Sequence, residues 1–230
     1  MCPEEAELVV EIGPGRGALT DHLLTRAKKV VAIEIDPVLV QYLRSKYRDD
    51  PRVEVIESDI LKADLSRWGP MAVAGNLPYY ITSPIIEKVL GLGRQVNRAV
   101  FLVQKEVAER ITTGPGSRDY GYLSVATQFY AEARLLFTVP PGAFRPPPKV
   151  DSAVISLTPR LELAVADPHA FLRFAGHCFR QKRKTLRNNL LGVWGKDKLE
   201  ALPQAGMRAE QLSITELIDL FRQMPGSQAL

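Results

Sequence analysis

The sequence predicts an α/β fold followed by a small helical domain, and three observations predict it. Short apolar runs at residues 8–12, 30–33, 53–56, 71–74 and 98–103 alternate with segments of helical spacing, the pattern of strands joined by helices in a largely parallel sheet. Two more apolar runs, 134–139 and 150–157, are separated only by a proline-rich connection, whose length allows them to pair antiparallel. Beyond Pro159 strand signals stop and helical patterns take over, so the expected domains are residues 1–159 and 160–230.

Composition narrows the class. With 230 residues, 46% hydrophobic and 24% charged, the chain has enough apolar material for one large domain and a small one, and lacks the bias of disordered or fibrous proteins. Its two cysteines, Cys2 and Cys178, show no CxxC spacing and lie near no histidine cluster, so neither a disulfide framework nor a zinc site is expected. No apolar stretch approaches the ~20 residues needed to cross a bilayer, and the first residues are acidic and unlike a signal peptide. A cytoplasmic protein is expected. Residues 160–230 carry 11 Lys and Arg against 7 Asp and Glu, whereas the preceding residues balance at 19 each. The whole net charge of +4 therefore falls in the C-terminal part, which predicts an anionic partner there.

The first strand, residues 8–12, runs into Gly13-Pro14-Gly15-Arg16-Gly17 and then into a helical pattern. A strand, a glycine turn and a helix suit a nucleotide site, because glycine lets the backbone approach a ligand and a helix N-terminus attracts negative charge. The spacing G-x-G-x-G matches neither the dinucleotide fingerprint nor a P-loop, and a tight turn without ligand is the alternative. The second strand ends in Glu34-Ile35-Asp36, placing an acid about 20 residues past the glycines, where a carboxylate holds a ribose diol. The third ends near Asp59, an acceptor for an adenine amino group; each acid by itself reads more readily as a solvated loop charge, and it is three consecutive strands ending in ligand-capable groups that favour a nucleoside site.

The fourth strand closes in Gly75-Asn76-Leu77-Pro78-Tyr79-Tyr80, ahead of a helix over 83–92 with Ser83 as its expected cap. Asn76 offers a side-chain acceptor, Pro78 fixes its own φ and biases Leu77 toward extended conformations, and Tyr79 supplies a flat face. Such a set suits the gripping of a planar amine, against the alternative of an ordinary strand-to-helix turn. Helices are expected over 105–112 and 122–130, with a mobile loop at Gly114-Pro115-Gly116-Ser117 between them. In the connection 140–148, Phe144 is an aromatic amid prolines, either a core anchor or a base-stacking residue. Asp167-Pro168 starts a helix, and Ser213-Ile214-Thr215-Glu216 is a capping box. Between them Arg180, Lys182, Arg183, Lys184 and Arg187 crowd into eight residues without an acid, which predicts phosphate contacts, with a solvated surface as the alternative.

Taken together, residues 11–17, Asn76 to Tyr79, Gln104-Lys105-Glu106-Val107-Ala108, residues 120–125, residues 144–153 and Arg183-Lys184-Thr185-Leu186-Arg187-Asn188-Asn189 resemble the KsgA family over nearly the whole chain. Its members are S-adenosylmethionine-dependent dimethyltransferases acting on two adjacent adenosines near the 3′ end of small-subunit ribosomal RNA. The resemblance implies a Rossmann-like class I methyltransferase sheet of seven strands with an antiparallel last strand, plus the helical domain. It places Glu11, Gly13, Gly15, Gly17, Glu34, Ile35, Asp59, Ile60 and Asn76 around S-adenosylmethionine, with the glycine loop at its methionine end, Glu34 at the ribose and Asp59 at the adenine. It gives Asn76, Leu77, Pro78, Tyr79 and Phe144 the catalytic work and requires no metal. It implies an immature 30S particle as partner, no membrane, and a monomer. Family members carry a segment before the first strand that helps close the cofactor site; none precedes residue 8 here, so the expectation is a weakly active chain. Three alternatives stay open: an Erm-type enzyme acting on large-subunit RNA, a protein glutamine methyltransferase, and a non-catalytic ribosome-assembly factor.

Overall fold

A computed structural model describes residues 6–223. Cys2 and the acidic first residues lie outside the described residues. The chain divides into two compact units. The first comprises the described residues up to Ala108 together with Ala131–Leu161; the second comprises Glu109–Tyr130 and the chain from Glu162 onward.

The first unit is built on a seven-stranded sheet ordered β3-β2-β1-β4-β5-β7-β6. Its strands are β1 (Ala6–Ile12), β2 (Ala27–Glu34), β3 (Val53–Glu57), β4 (Met71–Asn76), β5 (Val96–Gln104), β6 (Ala131–Val139) and β7 (Ser152–Pro159). The first five run parallel, and β7 is inserted antiparallel between β5 and β6. Central strands covered on both faces need continuous apolar sequence, and Val9, Val10, Val30, Val31, Ala32, Ile33, Val73 and Phe101 are accordingly buried. The edge strand β6 alternates instead, and its ladder to β7 is interrupted between Leu135 and Phe137, the kind of irregularity that blunts an open edge.

Helices α1 (Ala18–Leu23), α2 (Pro37–Lys46) and α3 (Thr82–Leu90) connect the parallel strands. Asp36 caps α2 by accepting from the Val38 N–H at 2.8 Å. The expected cap of α3 is corrected: a 3-10 turn over Tyr79–Ile81 runs directly into the helix, Ile81 occupies the cap position and Ser83 lies inside. Thr82 closes this entry, its hydroxyl donating to the Pro78 carbonyl at 3.1 Å.

The second unit is helical: α5 (Tyr122–Tyr130), α6 (Pro168–Cys178), α7 (Leu186–Leu190), α8 (Lys196–Glu200) and α9 (Ile214–Arg222), with α4 (Lys105–Thr112) crossing into it. The expected domain boundary at residue 159 therefore shifts, because residues 109–130 cluster with the helices. The contacts explain why: Phe129 packs on Phe171 at 4.6 Å between ring centres, and Phe171 meets Phe221 at 5.7 Å. The loop read as mobile is tied down by Gly116 N–H donating to the Glu210 carbonyl at 2.7 Å. Asp167 caps α6 through Ala170 N–H, and Ser213 and Glu216 form the expected capping box of α9. Cys178 is buried, which pushes its thiol up to about 12. No described helix is long and apolar enough to cross a membrane.

Candidate active site

Parallel strands deliver their C-terminal ends to one rim, and the order of this sheet reverses between β1 and β4, where open α/β sheets leave a crevice for ligands. Ile12 pairs with both Ile33 and Gly75, Glu34 pairs with Glu57, and Asn76 pairs with Leu102. The loops after Ile12, Glu34, Glu57 and Asn76 thus emerge side by side. Gly75 is required by the tightness of that junction: a Cβ there would lie 2.6 Å from the Ile12 carbonyl oxygen.

The glycine loop takes φ values of 65, 60 and 79° at Gly13, Gly15 and Gly17, a region that side chains strongly disfavour. Gly15 faces open space, with no atom within 4 Å of where a Cβ would project. Its N–H donates to Glu34 Oε2 at 3.1 Å, while Glu34 Oε1 accepts from the Ile35 and Asp36 amides at 2.9 and 3.1 Å. Glu34 therefore ties the glycine loop to the end of β2, and Oε2 keeps acceptor capacity for a hydroxyl. Beneath the loop, Glu11 is fully buried and accepts from the Thr20 hydroxyl at 2.5 Å. Burial dominates there and raises its carboxyl to about 7, although the Thr20 bond acts in the opposite direction. Tyr47 donates to Asp21 at 2.7 Å and to the Gly17 carbonyl at 3.1 Å, and Lys46 pairs with Asp21 at 2.7 Å, so α2 braces the end of the loop. Sequence reasoning missed Thr20, Tyr47 and Lys46 because contacts across 9 to 30 residues leave no local pattern.

The adenine-side expectations divide. Asp59 is half-buried and accepts from Leu61 N–H at 2.9 Å through Oδ1, with Oδ2 taking no hydrogen bond among the described residues. Ile60 is buried and Ile35 is 66% exposed, so of the two only Ile35 presents an open apolar face. A glycine loop open at Gly15, a Glu34 oxygen and an outer Asp59 oxygen suit a nucleoside bearing a hydroxylated sugar and an amino group.

Asn76 is the last residue of β4, and its exposed side-chain amide makes no hydrogen bond among the described residues. Leu77 is buried, its N–H donating to the Leu102 carbonyl at 3.0 Å. Pro78 has φ −59°, as its ring demands, and starts the turn that carries Tyr79. Tyr79 is half-buried with its hydroxyl 2.8 Å from Ser152 Oγ, whereas Tyr80 is 87% exposed. Phe144 sits in the connection between Val139 and Ser152, which pair with one another; Ser152 also pairs with Gln104 at the end of β5. That connection therefore opens on the rim that carries Asn76. Among the described residues no group of three His, Cys, Asp or Glu is placed to hold a metal ion.

In the second unit the basic run is a turn between α6 and α7 that continues into the start of α7, where Arg187 lies, with Arg180, Lys182, Arg183, Lys184 and Arg187 all exposed. Asn189, the last residue of the stretch that carries the resemblance but given no role there, is buried and bonds Cys178 and Gln181 across this turn. Lys182 donates to the Arg118 carbonyl, and Arg187 pairs with Glu200 at 3.0 Å. Arg183 and Lys184 have no side-chain partner among the described residues.

Comparison with known proteins matches this arrangement. Ribosomal RNA small subunit methyltransferase A of Acidobacterium capsulatum is 45% identical over 229 residues, which covers 94% of this chain and 81% of the relative. The protein of the same name from Streptococcus pneumoniae serotype 2 is 43% identical over 238 residues, covering 95% and 82%. Among solved structures, a dimethyladenosine transferase from Plasmodium falciparum superposes with a TM-score of 0.84 at 27% identity, covering 98% of this chain and 92% of that one. The 23S rRNA methyltransferase ErmE superposes with a TM-score of 0.71 at 30% identity, covering 97% and 93%. Residues 2–224 match the family described as ribosomal RNA adenine dimethylase, and with relatives this similar across so much of their length, the chain belongs to that family.

Proposed function

We propose that this chain converts two adjacent adenosines near the 3′ end of small-subunit ribosomal RNA to N6,N6-dimethyladenosine, with S-adenosylmethionine as methyl donor. The observation that carries the reading is the single rim on which a glycine loop braced by Glu34 lies beside an Asn76 amide with no hydrogen bond among the described residues. Family membership supports an adenine dimethyltransferase with a donor of the S-adenosylmethionine type, and the relatives' names support the small subunit.

Gly13, Gly15 and Gly17 leave the backbone open to the methionine end of the donor, Glu34 accepts from its ribose, and Asp59 accepts from its adenine, with Ile35 offering an apolar face. Glu11 lies beneath the loop. Bound there, the donor supplies an electrophilic methyl on a positively charged sulfur. The chain's own task is to make a poor nucleophile attack, because the N6 lone pair of adenine is delocalised into the ring. In the first transfer the Asn76 side-chain carbonyl and the Leu77 carbonyl accept the two N–H groups, and in the second one of them accepts the single N–H that remains, which favours a pyramidal nitrogen and directs its lone pair. Positive charge grows on nitrogen during attack, so both acceptors bind the transition state better than the ground state, and the proton leaves to water. The target base must first be turned out of its stack at a cost of a few kcal/mol, part of which stacking on Tyr79 and Phe144 offsets.

The exposed turn at Arg180, Arg183 and Lys184 supplies phosphate contacts. An immature 30S particle is the substrate, acted on by a monomer in the cytoplasm. The likeness to ErmE favours a second reading, methylation of large-subunit RNA. Incubation with labelled S-adenosylmethionine and under-methylated 30S or 50S particles, followed by nucleoside analysis, separates the two. Dimethyladenosine on the 30S particle is expected. Label only on the 50S particle would favour the second reading, and binding without label a non-catalytic assembly factor.

A further inference from the structure

We infer that Ser152 is a positioning residue for methyl transfer, setting the plane of the Tyr79 ring against which the target adenine stacks. The inference rests on the proposed stacking role of Tyr79. Ser152 opens β7 and is fully buried, and antiparallel pairing with Gln104 brings it to the rim where the parallel strands end. Its Oγ lies 2.8 Å from the Tyr79 hydroxyl, and it has no other hydrogen-bond partner among the described residues. Seventy-three residues separate the pair, so the bond joins the Asn76 turn after β4 to β7, the strand on the other side of β5.

The geometry gives the bond a directional task. The backbone of Tyr79 is already fixed by Pro78 and by the 3-10 turn, so the remaining freedom of the side chain is rotation about two bonds. The phenol oxygen is the far tip of that side chain, and anchoring the tip fixes the direction of the ring and, with packing, its face. A base gripped by Asn76 and Leu77 needs a stacking face in register with those acceptors, because small misplacement in a near-attack geometry lowers the rate. A half-buried phenol also has a reason to keep its partner, since an unpaired buried hydroxyl is unfavourable. The neighbouring Tyr80 has no such anchor and is 87% exposed, which separates the two tyrosines physically.

The test uses the full chain, labelled S-adenosylmethionine and under-methylated 30S particles, with steady-state kinetics of Ser152→Ala, Tyr79→Phe, the double variant and Tyr79→Ala. Ser152→Ala and Tyr79→Phe each break the bond from one side. Each is expected to lower kcat about fivefold, the scale of one hydrogen bond, with the KM for the methyl donor unchanged. The double variant is expected to be no slower than either single one, because one bond is lost once. Should Ser152→Ala fold poorly, Tyr79→Phe still reports on the bond. Parental kcat in both single variants, multiplying losses in the double variant, or a raised donor KM would overturn the inference while leaving base stacking intact if Tyr79→Ala is slow. Parental turnover by Tyr79→Ala would overturn the stacking role and this inference with it.

Discussion

The side-chain amide nitrogen of Asn189 donates to the Cys178 carbonyl at 2.7 Å and thereby closes the basic turn on the end of the preceding helix. The same nitrogen reaches the Gln181 carbonyl at 3.2 Å, and Oδ1 accepts from Gln181 N–H at 3.1 Å. One buried side chain thus satisfies three backbone groups of a turn whose next residues are Lys182, Arg183 and Lys184. Asn189→Ala leaves the Cys178 carbonyl and the Gln181 N–H without these partners, while the Gln181 carbonyl keeps the Lys184 N–H at 2.9 Å, and is predicted to lower stability by about 1–3 kcal/mol. Urea denaturation followed by circular dichroism measures it, and an unchanged midpoint would mean that water replaces the amide at no cost.

The cations of this turn are not equivalent. Arg183 and Lys184 are exposed without a side-chain partner among the described residues, whereas Arg187 pairs with Glu200 at 3.0 Å. Each phosphate contact steepens the salt dependence of RNA binding by about 0.7–0.9 in log–log slope. Replacing Arg183 and Lys184 by Gln is therefore predicted to flatten that slope by up to about 1.4–1.8 in total, and Arg187→Gln to change it less. Filter binding across a salt series decides; equal slopes in all variants would make the turn an ordinary solvated surface.

The strands were legible because β-branched apolar runs bounded by turn residues leave few other readings, and Val53–Glu57 and Met71–Asn76 begin where the sequence places them. The rim was legible for the same reason: each strand ends in a residue of distinct chemistry, so Gly13, Glu34, Asp59 and Asn76 are named before any pairing is known. What pairing alone decides was not legible. The insertion of β7 between β5 and β6 places Ser152 at the rim, and nothing local to Ser152 announces that. The cap of α3 was misplaced because Ser83-Pro84 is a sound local signal overruled by the Tyr79–Ile81 turn. Arg187 reads as one more cation in a run until the fold brings Glu200 to it.

Asn76→Ala is predicted to lower turnover by about two to three orders of magnitude while leaving RNA binding nearly intact, since the lost group accepts from the amine and touches no phosphate. Removing one preorganised transition-state partner costs about 2.7–4 kcal/mol, or 10²–10³ in kcat, by analogy with an oxyanion-hole donor. Single-turnover transfer to under-methylated 30S particles, beside filter binding, checks both halves. Turnover within about threefold of the parent would remove Asn76 from the mechanism, because that is far below the loss of such a partner.

Glu11 gives the glycine loop a pH dependence whose sign is fixed by its burial. The carboxyl titrates near 4.5 when the chain is unfolded and at about 7 when folded, because burial outweighs the Thr20 bond. Asp21 and Glu34 push in the same direction as burial, and Lys46 opposes them. Between the two values the folded chain keeps a proton that the unfolded chain has released, so stability falls as pH rises through that window. The loss is complete above about 7 and amounts to roughly 3 kcal/mol. Glu11→Gln retains an acceptor for the Thr20 hydroxyl without a titrating group, and is predicted to remove this slope and to exceed the parent in stability at alkaline pH. If the methyl donor binds at the glycine loop as proposed, its positive charge favours the Glu11 carboxylate, so binding is also predicted to release a proton near pH 6–7 in the parent, where at least half of Glu11 is still protonated, and not in the variant. Urea midpoints from acid to alkaline pH test the first effect, and calorimetric titration of S-adenosylmethionine in two buffers of different ionisation enthalpy tests the second. Parallel stability curves for parent and variant would show that Glu11 is already ionised in the folded chain.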